Sequence, residues 1–153
     1  MALALLAALA PSCEPKMDPL AYNERLTALQ ASAYAIDNQM HGQFETRFWS
    51  DSLQPDNPEF LALLDQHRQS YLLVLDSIEE LSCPCDSAEF REGLATLGRF
   101  LLAGLDNYYL ALARDKDALD SVQRAYNLRY QTLEEEFIRS QERFAKDNGL
   151  TLQ

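Results

Sequence analysis

Four stretches of this chain carry apolar residues at alternating steps of three and four, and residues that start or stop helices stand at their ends. Side chains of a strand change face at every residue, so this spacing belongs to helices. The first stretch opens at Asp18-Pro19. Asp at the N-cap accepts a backbone N–H, and Pro at the first helical position has no N–H to lose. Its stripe is Tyr22, Leu26, Leu29, Ala33, Ile36, Met40 and Phe44, with Gly42 inside it, and it fades near Trp49. A polar loop, Ser50 to Asp56, leads to Asn57-Pro58, which repeats the same start.

The second stripe is Phe60, Leu64, His67, Tyr71, Val74, Ile78 and Leu81, and Pro84 stops the helix. The third opens at Asp86, with Glu89 completing a capping box, and runs Phe90, Leu94, Leu97, Leu101, Leu105, Tyr108 and Leu112. Gly93, Gly98 and Gly104 lower helix propensity there, which points to close approach of a neighbour. The fourth starts near Asp117, runs Leu119, Val122, Tyr126, Tyr130, Leu133, Phe137 and Phe144, and closes at Asn148-Gly149. Glu135 with Arg139 and Glu142 with Lys146 are spaced for surface ion pairs. No stretch alternates like a strand. The expectation is an all-α, antiparallel up-down-up-down four-helix bundle over residues 18–153. A long three-helix coiled-coil dimer is the main alternative.

The amino-terminal run MALALLAALA stands outside this pattern. It is too short to span a bilayer at about 20 residues per crossing and has the length of a secretory signal's apolar region. Leu9-Ala10-Pro11-Ser12-Cys13 loosely resembles the lipobox of bacterial lipoproteins, in which the signal is cut before a Cys that is then lipidated. Ala10 stands where such boxes usually have Leu, and the run holds no Lys or Arg. The expected division is a removed signal over 1–12, a tether over 13–17 and the bundle beyond. Other export, or an apolar start on a cytoplasmic protein, are the alternatives. Lipidation at Cys13 implies a membrane as partner and a place in the bacterial envelope or on its surface; secretion or a periplasmic location is the second option.

Lys plus Arg number 13 against 24 Asp plus Glu, a net charge of −11, which argues against nucleic-acid binding because phosphates require a basic face. The run Glu134-Glu135-Glu136 reads as a solvated helix face.

Three sets of residues suggest chemistry. Cys83-Pro84-Cys85 lies between the second and third stretches, where an envelope compartment permits a disulfide; free thiols, or a redox or metal role, are the other readings. His67 sits on a buried stripe. Mirroring the chain about its loops brings Met40, His41, Leu101 and Tyr126 or Tyr130 to its level. A metal site on His41 and His67, or haem on His67 and Met40, follows on paper. A core histidine bonded to a tyrosine is the better account, since two ligands are too few for a tight site. The seven Tyr and seven Phe suggest a ligand groove, but most lie on the stripes, so core packing explains them better. Phe48 and Trp49 form either a docking patch or a lid on the bundle end.

Other chemistries lack their residues. The ferritin-like Glu-x-x-His motif is missing, with Asn38 and Leu64 in the places of its Glu. Neither a haem-attachment motif nor a nucleophile elbow nor a phosphate loop is present.

The order of features resembles a family of small bacterial surface lipoproteins of uncharacterised function. The resemblance rests on the lipobox-like start, on Asp18-Pro19-Leu20-Ala21-Tyr22-Asn23, and on Phe144-Ala145-Lys146-Asp147-Asn148-Gly149-Leu150, and it covers Cys13 to Gln153. It implies an all-helical envelope protein and no catalytic residues. The expectation for function is therefore a lipid-anchored, non-enzymatic binding or scaffolding module without a cofactor, acting on a protein or small-molecule partner. A metal- or haem-binding bundle and a thiol-redox protein are the alternatives.

Overall fold

The computed structural model describes residues 17–49, 53–82 and 88–152, and these form helices and no strand. The proposed signal, Cys13, Cys83, Pro84, Cys85 and Asp86 lie outside the described residues. Helix α1 spans 19–48, an α-helix over Pro19–Gln43 that widens into a π-turn at Phe44–Phe48. Helix α2 is Pro58–Glu79. Helix α3 spans 88–114 and is interrupted by a π-turn at Leu105–Leu110. Helix α4 is Leu119–Asp147, entered through a 3₁₀ turn at Lys116–Ala118.

Contacts between helices run antiparallel. Arg47 near the end of α1 meets Glu59 at the start of α2. Arg91 early in α3 donates to the Leu81 carbonyl just past α2. Gly93 faces Ser140, and Gly104 faces Tyr126. The result is the antiparallel four-helix bundle expected from the stripes.

The punctuation acts as its residue types require. The Asp18 carboxylate accepts from the N–H of Leu20 and Ala21, at 3.1 and 3.2 Å. Asn57 Oδ1 accepts from Glu59 and Phe60, at 2.9 and 3.0 Å. Each cap contributes about 1 kcal/mol. Asp115 rather than Asp117 organises the entry to α4, its carboxylate accepting from the Asp117 N–H at 3.1 Å. Gly149, with φ 66°, lets Leu150 N–H reach the Ala145 carbonyl and closes α4 in a Schellman turn.

Nearly every stripe residue of the first three helices is buried; Ile36 and Leu81 are half-buried, packed on the core's edge. Tyr22, Phe90, Phe137 and Phe144 stack at one end of the bundle. Phe44, Phe48, Phe60 and Tyr109 fill the other. Phe48 is thus a lid on that end, whereas Trp49 leans on Phe44 and remains 41% exposed. Leu75 lies against Gly98, where a Cβ would come within 3.0 Å of it. Glu135 pairs with Arg139 at 3.8 Å, whereas Glu142 and Lys146, equally exposed, stand unpaired among the described residues, as surface pairs worth tenths of a kcal/mol often do.

One seam differs from the rest. Helices α1 and α2, α2 and α3, and α3 and α4 pack backbone against backbone, and α1 also approaches α3. Helices α1 and α4 stay farther apart and are joined by long side chains. Gln141 donates to Asn23 and Thr27, and the Tyr34 hydroxyl donates to Glu134 at 2.8 Å. Glu134 is therefore part of a polar bridge, not only of a solvated face. On α4, Leu133, Phe137 and Phe144 are buried, but Leu119, Val122, Tyr126 and Tyr130 are only half-buried. The first half of α4 stands off the core, and the space it leaves is the site described next.

Candidate functional site

On α1, Tyr34, Asp37, His41 and Glu45 recur at steps of three and four, so they form a second stripe beside the apolar one. That stripe faces the standing-off half of α4. Between them lies a cleft of about 360 Å³ lined by Asp37, His41, Tyr108, Tyr109, Tyr126 and Tyr130, with amide side chains at its rim. A smaller cavity of about 190 Å³ continues it toward Trp49 and shares His41 and Tyr108. The larger volume falls within the range that holds small ligands, from about 300 Å³ upward.

Backbone geometry shapes this space. Tyr108 and Tyr109 are neighbours in sequence, and on a regular helix they would diverge by about 100°. Both are buried because the π-turn of α3 widens the helix there. Such turns recur at functional sites. Gly104, just before the turn, admits the Tyr126 ring: a Cβ on Gly104 would lie 2.8 Å from Tyr126 Cε2. Tyr126 is stacked between Phe100 and Tyr108, with centroids at 4.8 and 4.7 Å.

The polar atoms of the cleft are unevenly satisfied. Asp37 accepts one hydrogen bond, from the Tyr71 hydroxyl at 3.3 Å, and makes no ion pair among the described residues. Burial pushes its carboxyl above the usual carboxylate range, while the Tyr71 bond and the nearness of His41 pull it down. The hydroxyl of Tyr126 is buried and has no hydrogen-bond partner among the described residues. Burial, reinforced by the Asp37 charge, raises the pKa of Tyr71, Tyr108, Tyr109 and Tyr126. These rings are neutral phenols at physiological pH. Among the described residues no Lys or Arg lines either cavity.

The histidines fall in different surroundings. His67 is buried, and its Nδ1 donates to the Leu63 carbonyl at 3.0 Å, one turn back on its own helix. Its bonding partner is thus backbone and not the tyrosine that the sequence suggests, since the nearest acceptor along a helix lies four residues back. His41 is exposed on the cleft rim with Nε2 3.1 Å from Glu45. Met40 is fully buried, whereas His41, turned about 100° from it on α1, is exposed. Among the described residues no three His, Cys, Asp or Glu side chains gather as a metal site would require.

Asp37 and Tyr109 escape the stripe reading. The adjacent aromatic pair Tyr108-Tyr109 was the available signal, since a narrow helix face buries only one of two neighbours. Asp37 carries a weaker signal, an acidic side chain one residue from Ile36 on the apolar stripe. No helix among the described residues is long and apolar enough to cross a membrane. No protein-family model, curated protein or solved structure matches this chain.

Proposed function

We propose that the chain is a non-enzymatic binding module of the bacterial envelope, anchored by a lipid on Cys13, and that its ligand site is the tyrosine-lined cleft between α1 and α4. The observation that carries the binding reading is a tyrosine-walled cleft of ligand size holding a half-buried carboxylate that makes no ion pair among the described residues. Polar groups withdrawn from water usually find partners within the protein, and those left over in a cleft are where a ligand has something to satisfy. The cleft offers binding groups without an activated nucleophile or a second carboxylate aligned for acid–base work. The anchor rests on the sequence alone, on the apolar run ahead of Cys13.

Two measurements test the two halves. Mixtures of small polar molecules, followed by backbone amide NMR, should move resonances clustered at 34–41, 104–112 and 123–130. Shifts scattered over the surface, or none, would remove the cleft as a ligand site. A fatty-acid analogue fed to cells should label the wild type and not Cys13→Ser; equal labelling of both discards the anchor.

A further inference from the structure

Resting on that reading, we propose that the cleft takes a primary alkylammonium cation, its nitrogen against Asp37 and its carbon chain along the tyrosine rings. The charge of the site argues for a cation. Asp37 is the acid of the larger cavity and Glu45 that of the smaller one, and among the described residues no Lys or Arg lines either. His41, a basic side chain on the rim, sits on Glu45 rather than on Asp37. The whole chain, at net charge −11, draws cations in the same direction.

Donor count argues for a primary amine over a quaternary one. Asp37 receives a single long bond from Tyr71, and a carboxylate offers about four lone-pair positions. An ammonium group has three N–H donors to distribute among those positions, and a trimethylated nitrogen has none. Ring surface argues for an aliphatic tail. Tyr108, Tyr109 and Tyr126 form one continuous aromatic wall, with adjacent centroids 4.9 and 4.7 Å apart. Aromatic faces attract both a nearby cation and its methylenes. The neutral state of these phenols keeps the wall from adding negative charge of its own.

The test uses the full chain and three probes: butylammonium, tetramethylammonium and uncharged butanol, each titrated by calorimetry and mapped by amide NMR. Butylammonium should bind at the cleft with a dissociation constant on the order of millimolar, as fits so few atoms. Butanol and tetramethylammonium should each bind about tenfold more weakly or worse. Asp37→Asn keeps an acceptor for the Tyr71 hydroxyl and should weaken butylammonium about tenfold while leaving butanol unchanged. Butanol or tetramethylammonium binding as well as butylammonium, or an Asp37→Asn protein of normal helicity that binds butylammonium undiminished, overturns the cation assignment and leaves the cleft standing as a ligand site. If none of the three probes perturbs the cleft and the wider mixtures also leave it silent, both readings fall.

Discussion

Six of the seven tyrosines sit in or beside the cleft, and every one has its pKa raised, with burial as the leading cause. The sign of the consequence follows from proton linkage. In an unfolded chain these phenols lose their protons near pH 10. The folded chain holds them to higher pH, so between those limits the native state binds more protons and loses stability as pH rises. The contribution is fully present below pH ~10 and disappears above it. Alkaline titration should therefore show phenolate absorbance rising in step with loss of helical circular dichroism. A smooth, independent titration of all tyrosines with helicity intact would contradict the buried placement. Asp37 follows the same sign at the acid end: its raised carboxyl makes ionisation unfavourable to the fold, a cost present at neutral pH and relieved toward acid.

At the scale of elements, what the sequence made legible was the regular part. Asp18-Pro19, Asn57-Pro58 and Asn148-Gly149 mark helix ends where the structure has them, because caps and terminal turns depend on a few neighbouring residues. The π-turns at Phe44–Phe48 and Leu105–Leu110 escaped that reading. They arise from packing between helices, and a stripe counted at 3.6 residues per turn has no place for them. The cleft depends on the second of them, which explains why core packing looked the better account of its tyrosines than a ligand groove. Gly104 links the two scales. Gly104→Ala forces the Tyr126 ring aside, a clash costing about 1–3 kcal/mol, and only about 1 kcal/mol returns as helix propensity. Gly42 has nothing within 4 Å of its missing Cβ, so Gly42→Ala should stabilise the fold by about 0.5–1 kcal/mol. Thermal unfolding of the two variants should shift in opposite directions, and two upward shifts would mean that Tyr126 does not occupy the notch at Gly104.

Across the whole molecule, three seams between helices pack closely and one stays wide. The aromatic cluster of Tyr22, Phe90, Phe137 and Phe144 locks α1, α3 and α4 together at the end where the chain enters α1. The cleft lies toward the other end, on the last turns of α1 and the first of α4. From Pro19 to Asp37 the helix climbs about 27 Å at its usual rise per residue. Were the chain anchored through Cys13 with α1 along the membrane normal, its tyrosine pocket would stand clear of the lipid headgroups, beyond about one Debye length of their surface charge. A solute would meet it from the bulk fluid, at bulk concentration, without first having to partition into the membrane.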